Sequence, residues 1–487
     1  MIIKIQLNKF IRGFIFYSSF SILSLFYSCN SDFLELKPSH LQIEKDALNS
    51  VESLQTALNG CYSLLGSEYY YGRNLFLIAD LYADNALLSI NNTGRYSTVN
   101  NQTVLPTDEI VTELWYICYE LIHNTNNILA AVDSIKASEK EINQIKGEAK
   151  VLRALAYFDL IKVFAHPYKT EASSGVSGAN GNGGHAGVPL VLSTSKTDTL
   201  YKRESTETIL NFVINELRAS ESLLTHEYIE PNRFSKNSTR ALLYKVYHYT
   251  GNYTNLYNEM RFFIREKLYT LVAHENYLDS WQQEYTNESV FSIAVTKSDY
   301  NGTNSLGYLF LKSGYNEVVP STDLAELFGE DSDIRKQLFV TGSEIKKYPG
   351  RKGVVGLDNI PVLRYSDLIL MNAEMYCKLT IDKRIADNYY DSARYYLDLI
   401  RFRANPKAIP SFETGEKLLS KIQTERRKEL LFEGDRFYNL KLNMFSFSKS
   451  DCHSGNCEFN FPDKRAALPI PQNELNVNKL IEQNFEY

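Results

Sequence analysis

Apolar residues return every three or four positions along most of this chain, and that spacing confines it to a mostly helical fold. Between residues 108 and 135, Ile110, Leu114, Ile117, Leu121, Ile128 and Leu129 fall at helical intervals. Between 139 and 164, Ile142, Ile145, Ala149, Leu152, Leu155, Phe158 and Ile161 do the same, so the two stretches predict a helical hairpin. Trp115 lies in the middle of the first helix and is expected in the core. Ser205-Thr206-Glu207 is a capping-type start for a helix over 205–224. Helices over 238–250 and 253–266 follow, joined by a turn at Gly251-Asn252. Helices are predicted again over 364–378, 388–403 and 414–442, with a short one from Asn473.

Two stretches break the pattern. Residues 170–187 are rich in Gly, Ser and Ala, which predicts a mobile loop that leaves His185 in solvent. Residues 289–295 alternate and are β-branched, which predicts a strand, and the Gly and Asn residues between 301 and 316 mark loops. The paired helices resemble tetratricopeptide units with irregular spacing.

The 52 Lys and Arg stand against 58 Asp and Glu, a formal net charge of -6. Nucleic acid is therefore not expected as the main partner, because phosphate binding needs a basic face. Tyr (34) and Phe (26) far outnumber Trp (2), and Tyr can face a polar ligand at little cost.

Residues 1–28 read as an export signal. Lys4, Lys9 and Arg12 form a basic start, and residues 14–27 form an apolar run too short to span a bilayer. Cys29 then stands where a bacterial lipoprotein is cleaved and acylated, behind Phe26 and Tyr27; a plain signal peptide with an ordinary early cysteine is the alternative. Of the six cysteines, the other five cannot all pair. Cys61, Cys118 and Cys377 lie in apolar, helical settings and are expected as buried thiols. Cys452 and Cys457 bracket a turn and are expected to form a local disulfide, with a metal site that includes His453 as the rival.

Six segments in order are similar to the SusD/RagB family of Bacteroidetes surface lipoproteins. They are CNSDFLELKP with the following LNSVESLQTALNGCYSLL, then LWYICYELIHNTNNILAAVD, GEAKVLRALAYFDLIKVFAHPY, VLRYSDLILMNAEMY, ERRKELLFEGDRFYNLKL and LPIPQNELNVNKLIEQNFEY. The resemblance covers nearly the whole chain after the signal. It implies one compact unit over 29–487, with an N-terminal SusD-like part (29–270) and a C-terminal RagB/SusD part (271–487). It further implies TPR-like helical hairpins supporting a loop-rich ligand face with a few short strands. The implied partner is a SusC/RagA-type TonB-dependent transporter in the outer membrane, and the implied location is that membrane, lipid-anchored and facing the exterior.

Glu425, Glu429 and Glu433 recur at intervals of four beside Arg426, Gly434 and Arg436, and paired carboxylates can serve acid–base hydrolysis. The alternative is an ion-pair network, which the resemblance favours by assigning this segment to the scaffold. Arg364 and Glu374 are expected in structural pairs. No nucleophile elbow, zinc motif or phosphate loop occurs, and no cofactor or metal is expected.

Binding of an oligosaccharide or oligopeptide fits better, through aromatic faces and polar groups in a preformed cleft. Two loops have that composition. One contributes Asn91, Asn92, Arg95 and Tyr96; the other contributes Tyr300, Asn301 and Tyr308. The tryptophan platform of starch binders is not matched. A glycosidase built on the clustered glutamates and a TPR-like protein scaffold without a small ligand are the two rivals.

Overall fold

The protein is described from a computed structural model that covers residues 48–194, 199–227, 230–329, 332–384, 389–452 and 455–487. Residues 1–28, expected as an export signal, and Cys29 and His453 lie outside the described residues. Ser50–Tyr487 form one compact unit.

Eleven helices of eight or more residues occur among the described residues. They are α1 (Val51–Leu65), α2 (Asn74–Leu81), α3 (Glu109–Ala131), α4 (Glu139–Phe164), α5 (Thr206–Leu223), α6 (Lys236–Thr250), α7 (Tyr253–Arg265), α8 (Tyr365–Ile381), α9 (Tyr390–Ala404), α10 (Gly415–Glu429) and α11 (Arg436–Asn443). Serine caps open several of them. Ser50 accepts from the Ser53 N–H at 3.2 Å, Ser138 from Glu141 at 3.3 Å and Ser205 from Thr208 at 3.0 Å. Gly251 ends α6 at φ 68°, a left-handed conformation that glycine adopts without strain.

Helix α4 is central. From Ile145 to Phe164 it is buried almost all round, between α3 on one side and α5 on the other. A Cβ on Gly147 would stand 2.8 Å from Leu224 Cδ2, so the missing side chain lets the end of α5 close onto α4. Helices α8, α9 and α10 form a second packed group. Trp115 is buried against Phe164, and the three free cysteines are buried too.

The strands are short and antiparallel, and form five two-stranded ladders among the described residues. Strand β1 (Ala86–Leu88) pairs with β5 (Val318–Pro320), β2 (Ala186–Pro189) with β3 (Arg203–Ser205), and β4 (Ser289–Ile293) with β8 (Ile360–Arg364). The smallest ladders join β6 (Phe339–Val340) to β7 (Glu344–Ile345) and β9 (Phe447–Ser448) to β10 (Glu458–Phe459). Cys452 and Cys457 form a disulfide beside this last ladder.

Two expectations need correction. His185 is not in solvent: it is 1% exposed, with Nε2 3.0 Å from the His166 carbonyl, and burial pushes its imidazole down to about 4. The helix expected over 414–442 is broken. Helix α10 stops at Glu429, the chain turns through Phe432 at φ 61° and Gly434 at φ 73°, and α11 starts at Arg436. A Cβ on Gly434 would meet Phe76 Cδ1 at 2.5 Å, so that turn needs glycine for space as well as for backbone.

Candidate ligand-binding site

The clustered glutamates converge, but on buried cations rather than on a cleft. Glu429 is fully buried and faces Arg335 Nη1 at 3.0 Å, Arg364 Nη2 at 3.0 Å and Arg403 Nη2 at 2.6 Å. Glu425 meets Arg335 at 2.6 Å. The break after α10 lets Glu433 return to the same cluster, where it meets Lys347 at 2.6 Å and Arg364 Nε at 2.7 Å. Glu288 closes the network on Arg364 and Arg403. Burial alone would push the Glu429 carboxyl up; Arg403, Arg364 and Arg335 together hold it well below the usual carboxylate range. A carboxylate so buried and so paired has neither the access nor the proton for acid–base work.

The neighbouring motif residues are also paired. Arg426 bridges Asp367 and Asp435 at 2.8 and 2.6 Å, and Arg436 holds Asp84 at 2.6 Å. Glu374 on α8 pairs with His248 at 2.9 Å.

The two sequence-predicted loops do meet, and the β1–β5 ladder is the reason. The first loop, from Ser89 to Tyr96, leaves from Leu88, the second enters at Val318 after a short helix (Leu306–Phe310), and Leu88 is paired with Val318. The Ser89 N–H then donates to the Glu317 carbonyl at 2.8 Å. The buried Glu317 carboxylate pins the first loop, accepting from Thr93 Oγ1 at 3.0 Å and from Arg95 Nε and Nη2 at 3.2 and 3.0 Å.

Tyr96 sits where that loop turns into a short helix (Ser97–Asn100), at φ 63°. A non-glycine residue held there is uncommon and marks a place where the surroundings dictate the backbone. Its ring faces two guanidiniums, with Arg73 Cζ 5.7 Å and Arg95 Cζ 5.8 Å from the centroid. Arg95 also lies 5.4 Å from the Tyr315 ring.

These groups wall a hollow of about 380 Å³. Arg95, Tyr96 and Thr98 line it from the first loop and Asn304 from the second; Glu68, Arg73, Asp108, Glu109 and Glu113 add the charges, and Tyr69 and Ile110 complete it. Asn74 links buried Arg73 to half-buried Glu113 in this wall. It accepts from Arg73 Nε at 3.0 Å and donates to Glu113 Oε2 at 3.1 Å. Desolvation pushes the Glu113 carboxyl up, against Asn74 and Arg73, which lower it.

The other predicted residues have different places. Asn92 shapes the loop, donating to the Ser89 carbonyl at 2.5 Å and accepting from the Gly94 N–H at 2.8 Å. It lines a second hollow of about 420 Å³ on the far side of the loop. Asn91 is exposed beside it. Asn301 donates to the Gly66 carbonyl at 2.8 Å and so anchors the second loop. Tyr300 is 37% exposed, and the Tyr308 ring packs 5.9 Å from Tyr315.

Sequence reasoning missed Arg73, Glu113 and Glu317, which lie at a helix start, within a helix and at a strand end, with no periodic signal of their own. A larger hollow of about 570 Å³ lies near His166, but its charged groups satisfy each other, Arg465 with Asp463 and Lys464 with Glu486.

A helical scaffold that presents a loop-built hollow, aromatic and charged, defines the class of protein. A family profile described as "SusD family" matches residues 163–487, and one described as "Starch-binding associating with outer membrane" matches residues 32–248. The chain belongs to the SusD family.

Among curated relatives, SusD-like protein P2 of Formosa agariphila is 23% identical over 457 residues, covering 84% of this chain and 86% of that protein. A SusD superfamily protein from Bacteroides thetaiotaomicron superposes with a TM-score of 0.80 at 27% identity, covering 90% of this chain and 100% of the other. A structure from Bacteroides vulgatus described as a putative sugar binding protein gives a TM-score of 0.80 at 26% identity, covering 91% and 99%.

Proposed function

We propose that this chain is a lipid-anchored receptor on the outer face of the outer membrane, without catalytic activity. It captures an oligosaccharide and passes it to a SusC/RagA-type TonB-dependent transporter, which supplies the energy for uptake. The observation that carries this reading is Tyr96, held in a left-handed backbone beside two guanidiniums at the wall of the hollow. An aromatic face takes the apolar side of a sugar ring, and the arginines donate to its oxygens. The outer-membrane description of the family profile and the sugar-binding description of the B. vulgatus relative support it. An oligopeptide is the second reading, favoured by the carboxylates around the hollow, which would accept from backbone or lysine N–H groups.

A glycan array followed by calorimetry on the best hit tests this. Tyr96→Ala should weaken that hit about tenfold, the worth of one aromatic contact, and leave the melting temperature nearly unchanged. Release of reducing ends from the same glycan should stay at background. Hits that ignore Tyr96→Ala, or measurable turnover, would count against the reading.

A further inference from the structure

The charges around the hollow are unequal. Four carboxylates line it, Glu68, Asp108, Glu109 and Glu113, against two guanidiniums, Arg73 and Arg95. Arg95 is already neutralised by Glu317, outside the lining, at 3.0 Å. Arg73 is the cation left over. It is only 7% exposed and makes no ion pair among the described residues; its Nε is spent on Asn74. The remaining guanidinium donors therefore stand at the wall of the hollow, beside the Tyr96 ring.

Asp108 and Glu109 sit at the start of α3, where the helix dipole offsets about half a charge, so the acidic excess survives. The carboxylates also feel one another: Glu109 and Glu68 both disfavour the charge on Glu113.

A neutral sugar that fills this hollow would desolvate the carboxylates and return only hydroxyl hydrogen bonds. A uronic acid would meet one free guanidinium and four like charges. A sugar bearing an ammonium satisfies every wall: the amine to the carboxylates, ring and hydroxyl oxygens to Arg73, and the CH face to Tyr96.

Building on the saccharide reading above, we propose that the hollow bounded by Glu68, Asp108, Glu109, Glu113 and Arg73 selects an amino sugar with a free amine.

Ligand-observed NMR titration of the purified protein at pH 6 tests this with monosaccharides that differ only at C2. Glucosamine and galactosamine should bind at least tenfold more tightly than glucose and galactose, and more tightly than their N-acetyl forms. The advantage should shrink in 1 M NaCl, where the Debye length is about 3 Å. Glu113→Gln should cut the ratio of amine to hexose affinity at least threefold without lowering the melting temperature, since the amide keeps an acceptor for Asn74. Equal binding of amines and parent hexoses would overturn the charge selection and leave saccharide capture standing. Binding of lysinamide with no sugar bound would overturn both in favour of a basic peptide. No binding by any monosaccharide would overturn the amino-sugar proposal, while the glycan array still decides saccharide capture on its own.

Discussion

Asp358 is buried, and its two carboxylate oxygens are treated differently. One accepts from the Gly350 N–H at 2.7 Å; the other has no hydrogen-bond partner. Burial pushes this carboxyl up to about 7, against smaller lowering effects from Gly350 and Arg351. An unfolded aspartate titrates near pH ~3.9. Between about pH 4 and 7 the folded chain thus binds the extra proton, and the stability linked to Asp358 is complete below that window and lost as pH rises through it. Asp358→Asn keeps an acceptor for Gly350 and removes the titration. The melting temperature of the variant relative to the parent should rise between pH 4 and pH 7.5 by a few degrees, about 4 kcal/mol, and then level off. A difference that does not vary with pH would contradict this account. Asp80, pushed to about 7 by burial, gives the variant a remaining slope in the same window.

Helix α10 shows at the scale of an element what sequence can and cannot reveal. The helices with one-sided burial were legible to within a few residues, because the 3.6-residue period of their apolar face is written locally. The end of α10 was not, since Leu430, Leu431 and Phe432 prolong the apolar run beyond Glu429. Distant groups stop the helix there. Lys347 Nζ takes the Leu431 carbonyl at 2.7 Å and Tyr348 Oη takes that of Phe432 at 2.8 Å. The hollow was half legible for the same reason. Composition pointed to Arg95 and Tyr96, while Arg73 at the start of α2 and Glu113 on α3 join them only in the folded chain.

The buried network at the end of α10 carries its own expectation. Removing one partner from a buried ion pair costs about 3–5 kcal/mol, because the cations left behind cannot return to water. Glu429→Gln strands part of the charge of three arginines, whereas Glu425→Gln loosens only Arg335, which keeps Asp333 at 2.6 Å. Denaturant unfolding should show the Glu429 variant destabilised by about 3 kcal/mol or more and the Glu425 variant by clearly less. Ligand affinity of the folded fraction should be the same in both. Loss of binding without loss of stability would return these glutamates to the list of functional groups.

For the molecule as a whole, the question is what holds it at a membrane. No helix among the described residues is long and apolar enough to cross one. A net charge of -6 gives no general attraction to an anionic lipid surface. The proposed outer-membrane location rests on a lipid at Cys29. A lipid on Cys29 would supply about 0.8 kcal/mol per buried CH2, and two or more acyl chains suffice for stable anchoring where one does not. Cys29→Ser removes that lipid and lies in the sequence before the compact unit that begins at Ser50. After cell fractionation the variant should leave the outer-membrane pellet for the soluble fraction, while its affinity for the best glycan stays within about twofold. A Cys29→Ser chain that still pellets with the membrane would shift the anchoring to contact with the transporter, and one that loses its ligand affinity would tie Cys29 to the fold instead of to the lipid.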